Sequence, residues 1–267
     1  MTTFYIIRHG QSEANAKGIL QGSQIDTPLT ELGRSQAQVT LSKLGTDNFD
    51  AIYASPLLRA AQTATIIGGS DKTITFDPRL KEYDYGTWNG EIEADIWQKY
   101  PKYFDEHHNL LPNSWVDSKG DTYLEVKSRL ESFFDEVIAR HPDDSVLVVS
   151  HGFTIKLILD YILNIGNLVN IREPTNAGIT KVKMTKDTKT VIYFNRYKIR
   201  YHLLFTREWY LYFIIKLHFK LFLGVSSFQL SCPLPCRHCI PIPKLLQNLL
   251  LKLKHLRLRM HRNYLNH

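Results

Sequence analysis

Cysteine is scarce in this chain of 267 residues, and the first 195 residues contain none. The three cysteines, Cys232, Cys236 and Cys239, lie near the C-terminal end. Disulfide bonds therefore cannot stabilise the larger N-terminal part, a composition that fits a reducing compartment. The N-terminus also lacks the basic region and apolar stretch of a signal peptide, so we expect a cytoplasmic protein. With 43% hydrophobic residues, the chain can still form a proper core.

Acidic residues are almost absent from the C-terminal end. Residues 196–267 contain 13 of the 33 lysines and arginines but one of the 26 acidic residues, a net charge of +12. Residues 1–195 contain the other 20 basic and 25 acidic residues, a net charge of −5. We therefore predict a globular domain over residues 1–195, followed by a basic, apolar tail over residues 196–267.

The tail has no long uncharged run. Charged residues interrupt the apolar segment 203–223, so a membrane-spanning helix is not expected there. Residues 244–262 combine leucines with basic residues, as in a cationic helix that contacts an anionic membrane surface. The cysteine spacing resembles an iron–sulfur motif, and His238 offers a zinc ligand, but only a short chain follows and prolines crowd the cluster. The abrupt change in composition favours a simpler hypothesis, in which the tail is disordered or translated out of frame.

Apolar runs alternate with helix-period segments through residues 1–195, the pattern of an α/β domain. Predicted strands cover residues 4–7, 51–54, 73–76 and 146–149, and an antiparallel pair covers 178–184 and 190–194. One predicted helix has Thr30 as its N-cap. Four more cover residues 58–67, 93–100, 123–140 and 153–162, and Ser55 is the predicted N-cap of the first of these four. We therefore predict a three-layer sandwich, in which helices flank a mostly parallel central sheet.

Two tripeptides follow strands in this arrangement. Arg8-His9-Gly10 comes after the first apolar run, and Ser150-His151-Gly152 comes after the run at 146–149. Ligands of open α/β sheets bind at the carboxyl ends of the strands. We therefore expect both histidines at one sheet edge, in an anion site where one imidazole can act as a nucleophile.

The segment from Arg8 to Asn15 resembles the signature of the histidine phosphatase superfamily, which includes the cofactor-dependent phosphoglycerate mutases. Further segments match in the same order: Gln21-Gly22, residues 27–33, residues 55–64, residues 80–82 with 86–90, and Ser150-His151-Gly152. Together they span about 150 residues. The resemblance implies an enzyme that transfers a phosphoryl group through a histidine.

The resemblance implies catalytic roles for two arginines and two histidines. Arg8 and Arg59 can each offer a planar fork to phosphate oxygens. His9 would attack phosphorus, and the nearby arginines would keep its imidazole neutral. His151 would lie beside the phosphate and stabilise the transition state.

Glu82 is the implied general acid. It would protonate the leaving alkoxide and later deprotonate the water that hydrolyses the phosphohistidine. Asp84, two residues further on, is the alternative acid. Asn15, Gln21 and Gly22 are the implied substrate-binding residues, of which the two amides would donate to the phosphate.

Mutases of the superfamily typically have Glu-Arg-His-Tyr-Gly around the acid and an arginine pair in the variable segment. Here the acid is followed by Tyr83-Asp84-Tyr85-Gly86, and residues 91–120 contain three lysines and no arginine. We therefore predict a phosphatase that acts on small phosphate monoesters without a metal or other cofactor, and no nucleic-acid partner. The alternatives are a cofactor-dependent phosphoglycerate mutase and an inactive protein that binds phosphorylated ligands.

Two alternatives stay open for the tryptophans Trp88, Trp97 and Trp115. They line a substrate pocket, or they pack in the core or in an irregular lid over residues 101–120. His107, His108 and His141 have no partners at ligand spacing, so we expect them to be exposed.

Overall fold

A six-stranded sheet forms the centre of the computed structural model, which describes residues 1–44, 49–69 and 71–197. Its strands are β1 (Thr2–Arg8), β2 (Ala51–Ala54), β3 (Thr75–Phe76), β4 (Ser145–Ser150), β5 (Ile179–Met184) and β6 (Lys189–Arg196). The order across the sheet is β3-β2-β4-β1-β5-β6. The first four strands pair in parallel, and β5 and β6 add antiparallel. The predicted mostly parallel sheet is therefore confirmed.

Seven α-helices are described along the chain. They are α1 (Glu13–Ala16), α2 (Glu31–Leu44), α3 (Leu58–Gly68), α4 (Glu93–Lys99), α5 (Trp115–Ser118), α6 (Tyr123–Arg140) and α7 (Gly152–Leu163). Among these described helices, none is both long and apolar enough to cross a membrane. Apart from its first two residues, the predicted tail lies outside the described part of the chain.

The sheet is buried on both faces. Alternate residues of β1 point into different cores: Phe4 and Ile6 pack with α6 and α7, whereas Tyr5 and Ile7 pack with α2 and α3. This is why the central strands are almost entirely apolar instead of alternating with polar residues. The two helical layers around one sheet form the predicted three-layer sandwich.

Local signals explain several helix ends. Thr30 Oγ1 accepts a hydrogen bond from the Gly33 amide at 3.0 Å, as an N-cap does. Thr122 begins α6 with a capping box that includes Glu125, and α6 has the bounds predicted from its pattern. The N-cap prediction for Ser55 is wrong, because α3 begins after Leu57. Ser55 Oγ accepts from the Leu57 amide at 3.3 Å, just before the helix, and lies 2.7 Å from His151 Nε2.

Candidate active site

The two histidines follow neighbouring parallel strands. Arg8 and Ser150 are paired in register at the carboxyl ends of β1 and β4, so the next residue of each strand enters the same edge. The rings of His9 and His151 lie 5.1 Å apart between centroids, and both residues are buried. The structure thus brings together the two predicted histidines.

His9 is held in one orientation. Its Nδ1 lies 2.6 Å from the Gly10 carbonyl oxygen, a contact in which the ring nitrogen must donate. Burial lowers the pKa of His9 well below its ordinary value, and the charges of Arg59 and Arg8 lower it further. His9 is therefore a neutral imidazole whose Nε2 carries the lone pair, which is the form a nucleophile needs.

His151 is the more enclosed of the two histidines. Its Nε2 lies 2.7 Å from Ser55 Oγ, whereas its Nδ1 is buried and has no hydrogen-bond partner among the described residues. Burial lowers the pKa of His151, and Arg59 is the next largest cause. Ser55 therefore orients this imidazole, and its Nδ1 is the atom left for a ligand.

Arg59 is fixed by the loop that precedes α2. Its Nη1 donates to the Ile25 carbonyl and its Nη2 to the Gly22 carbonyl, both at 2.8 Å. Burial lowers the pKa of Arg59 to about 10, although the charges of Glu82 and Asp26 oppose this effect. Gly22 therefore positions Arg59 through its carbonyl. The sequence analysis placed Gly22 among the substrate-binding residues and did not predict this contact.

Arg8 reaches the site from the end of β1. Its Nη1 donates to the Pro174 carbonyl at 2.7 Å and lies 3.2 Å from a carboxylate oxygen of Glu173. The Nε atoms of Arg8 and Arg59, like His151 Nδ1, are buried without a hydrogen-bond partner in the described part of the chain. Buried polar atoms are normally paired, and an anionic ligand is the kind of group that could pair with these donors.

Asn15 and Gln21 both turn their amide oxygens towards Ser12. Asn15 Oδ1 accepts from the Ser12 amide at 3.3 Å, and Gln21 Oε1 accepts from Ser12 Oγ at 3.0 Å and from Thr27 Oγ1 at 3.0 Å. With the oxygens engaged, the amide nitrogens are the groups that can donate to a ligand. This orientation suits the predicted donor role of both residues.

Glu82 lies at the N-terminal end of α7. Its Oε1 accepts three hydrogen bonds at 2.9 Å, from the Tyr83 amide and from the amide and hydroxyl of Thr154. Its Oε2 accepts one weaker bond, from the Phe153 amide at 3.2 Å. Oε2 is therefore the oxygen that can exchange a proton with a substrate.

Asp84, the alternative acid, is engaged elsewhere. It accepts hydrogen bonds from Gln24, Asn89 and the Gly86 amide, at 2.5–3.1 Å. Burial would raise the pKa of Asp84, but these bonds outweigh it and hold the pKa below the ordinary value. Glu82 is thus the better placed of the two carboxylates.

The site depends on residues that were not singled out from the sequence. Thr63 Oγ1 accepts from the Gly10 amide at 3.1 Å, and Arg129 donates to the Arg79 and Lys81 carbonyls at 2.8 and 3.0 Å. Ser55 and Thr63 fall inside a matched segment, and Thr154 follows Ser150-His151-Gly152 closely, so proximity to the motifs was a usable signal. Glu173 has no such signal, because it comes from a loop far along the chain.

A pocket of about 680 Å³ opens beside this site. Its walls include Glu173, the ion-pair partner of Arg8, and Trp97, which stacks on His108 at 4.1 Å between centroids. Trp88 instead packs in the core and Trp115 is exposed.

His107 and His108 are exposed, as predicted. The prediction for His141 is wrong, because His141 is partly buried and hydrogen-bonded to Tyr53 and Asp144.

The fold and this geometry define an α/β protein with a buried cationic site centred on a neutral histidine. The sequence model of the histidine phosphatase superfamily (branch 1) matches residues 4–196, and the chain belongs to this superfamily. Within the ranges that the structure describes, no three His, Cys, Asp or Glu side chains group to hold a metal ion.

Relatives and solved structures agree with this membership. A Hydrogenobacter thermophilus protein provisionally named phosphoserine phosphatase 2 is 34% identical over 201 residues, which cover 73% of this chain and 96% of that protein. Phosphoserine phosphatase 1 of the same organism is 32% identical over 159 residues, 57% of this chain and 71% of that protein. The structure of Bacillus stearothermophilus YhfR matches with a TM-score of 0.68 and 29% identity, over 74% of this chain and 98% of YhfR.

Proposed function

We propose that the chain is a phosphoric monoester hydrolase that works through a phosphohistidine on His9 and needs no metal ion. The observation that carries this proposal is the set of three buried, unpartnered donors, Arg8 Nε, Arg59 Nε and His151 Nδ1, around a neutral imidazole. Phosphoryl transfer needs positive charge around the phosphate oxygens and a nucleophile in line with the leaving group. These residues supply both.

In the first step, His9 Nε2 forms a bond to phosphorus as the bond to the ester oxygen breaks. Arg8, Arg59 and His151 donate to the phosphoryl oxygens, and Glu82 Oε2 gives a proton to the leaving oxygen. In the second step, water attacks the phosphohistidine and Glu82 takes its proton. Phosphate and a neutral His9 are then released, and Glu82 is again protonated.

The pocket and the relatives support small phosphate monoesters as the substrate class. The pocket beside the cationic site has the volume for a small leaving group. Both Hydrogenobacter thermophilus relatives bear the name phosphoserine phosphatase, which supports a small organic phosphate as the substrate. The lack of cysteine in residues 1–195 supports a cytoplasmic location.

We also propose that residues 1–195 form the catalytic domain and that the tail takes no part in the reaction. The superfamily match ends at residue 196, where β6 also ends. The tail then has no share in substrate binding.

Trapping the intermediate tests the proposed chemistry. The protein is incubated with ³²P-labelled substrate in EDTA and quenched, and acid-labile label is expected on the wild type but not on His9→Ala. Release of phosphate from p-nitrophenyl phosphate should show the same dependence. Activity that requires bisphosphoglycerate would instead indicate a mutase, and phosphate binding without label would indicate an inactive binding protein.

A further inference from the structure

Lys156 is a buried cation without a counter-charge. It lies in α7, whose first nine residues are all buried, and its own side chain and backbone are only 2% exposed. Among the described residues it makes neither an ion pair nor a hydrogen bond, and its Nζ lies 5.3 Å from the centre of the Phe153 ring. The aliphatic part of Lys156 is thus buried while its ammonium group borders the pocket, where no described side chain pairs with it.

Two carboxylates near Lys156 pair with other cations. Asp160, one turn after Lys156, accepts from Lys127 Nζ at 2.7 Å. The carboxylates of Glu173 and Asp105 act on Lys156 from beyond ion-pair distance, and Glu173 contacts Arg8 instead. Burial lowers the pKa of Lys156, Glu173 and Asp105 oppose that effect, and no described side chain forms an ion pair with it.

Lys156 faces the side on which the leaving group must lie. It lines the pocket of about 680 Å³, together with Phe153 and Glu173. Because α7 begins at Gly152, directly after His151, Lys156 lies about 6 Å further along the helix axis from the phosphate side of the site. A short molecule bound through its phosphate would thus place its other end near Lys156.

We infer that Lys156 binds a carboxylate on the leaving group, so that the preferred substrates are phosphate monoesters of short hydroxy acids or hydroxy amino acids. This inference rests on the proposed function and specifies its substrate class. The pocket lining includes the cations Lys156 and Arg172 and the carboxylates Glu93 and Glu173, which leaves no excess of positive charge among these four. Such a pocket suits one carboxylate better than a second, dianionic phosphate group.

Two substrates that differ only in the carboxylate test the inference. O-phosphoserine and O-phosphoethanolamine are compared by kcat/KM, and the wild type should prefer O-phosphoserine by about tenfold or more. In Lys156→Met the preference should fall to about twofold or less, mainly through a higher KM for O-phosphoserine. Lys156→Arg should recover part of the preference.

Lys127→Met is the matched control, because it also removes one positive charge beside α7 but contacts Asp160 and not the pocket. It should keep the wild-type preference. Equal loss of activity towards both substrates in Lys156→Met, a wild type without preference, or a stronger preference for a bisphosphate would each overturn the inference.

A binding measurement separates this inference from the proposed function. Calorimetric titration of His9→Ala, with and without Lys156→Met, uses the same two ligands and needs no turnover. A Lys156-dependent preference for O-phosphoserine in the His9→Ala titrations, together with a wild type that hydrolyses no phosphate monoester, would refute the proposed function and uphold the inference. Hydrolysis of p-nitrophenyl phosphate without any Lys156-dependent preference would do the reverse.

Discussion

Removing the Ser55 hydroxyl should weaken both the fold and the catalytic site. Ser55 is fully buried, and its Oγ is the hydrogen-bond partner of His151 Nε2, at 2.7 Å. Because His151 Nδ1 has no partner among the described residues, Ser55→Ala would leave both ring nitrogens unpaired. Leaving a buried polar group unpaired costs about 1–3 kcal/mol.

The expected stability change can be measured directly. For a domain of about this size, each kcal/mol lowers the melting temperature by about 2–4 °C, so a fall of several degrees is expected. Ser42→Ala is a suitable control, because Ser42 is exposed and its hydroxyl only donates to the Val39 carbonyl of its own helix, at 2.8 Å. That variant should melt within about 1 °C of the wild type.

Activity should fall for a separate reason. Ser55 acts through His151, which we propose donates to the phosphate from Nδ1, so a misdirected imidazole loses transition-state stabilisation. A loss of about 1.4 kcal/mol corresponds to a tenfold lower kcat, with a smaller effect on KM. Steady-state hydrolysis of p-nitrophenyl phosphate gives both constants. Wild-type melting and wild-type kcat in Ser55→Ala would show that the hydroxyl does not orient His151.

Four further predictions use other parts of the structure. Burial, Arg59 and Arg8 hold the pKa of His9 below its ordinary value, so His9 stays neutral and the acid limb of kcat/KM should lie below pH 6.5; a limb above it would contradict this. By the same shift, the unfolded chain binds protons that the folded chain does not, so the free energy of unfolding should decrease as pH falls below about 6.5, measured by urea denaturation. Gly22→Ala should lower kcat/KM about tenfold or more, because φ at Gly22 is +54° and an added Cβ would lie 1.8 Å from Asn89 Oδ1. Gly18→Ala is the control: φ at Gly18 is +67°, but no atom lies within 4 Å of an added Cβ, so its effect should be milder. A chain ended at residue 197 should keep its activity and be more soluble, and loss of activity would show that the tail contributes to the site.

The sequence was sufficient to predict the sheet edge that carries the site. Arg8 and Ser150 end strands whose central residues are apolar, and such strands of an α/β protein run in parallel and are buried by helices. Parallel strands place His9 and His151 at one edge of the sheet, as predicted, whereas their position side by side depends on β1 lying next to β4. The long amphipathic helix α6 was equally predictable, because its apolar spacing and its capping residues agree.

Contacts that depend on strand order could not be predicted in this way. Ser55 meets His151 only because β2 lies next to β4, and the expectation of an N-cap at Ser55 came from local pattern alone. The contacts of Glu173 with Arg8 and of His141 with Tyr53 also join residues far apart in the chain. A local sequence pattern could not predict either of them. Periodicity describes which face of a segment is buried, not which polar group it meets there.

Different parts of the fold supply the phosphate side and the leaving-group side of the proposed site. The reaction class and the substrate class therefore need separate arguments. In the proposed complex, the phosphate lies among residues at strand ends, where backbone pairing sets positions: Arg8, His9 and His151. The proposed leaving group instead lies in the pocket lined by Lys156 of α7, residues of α4, and the segments 104–110 and 169–173. Lys156 is unusual only in the folded protein, because a lone lysine in an apolar helix looks like an ordinary surface residue until its burial is known. A charged side chain that lines the pocket without an ion-pair partner is therefore the structural feature on which the inferred substrate class rests.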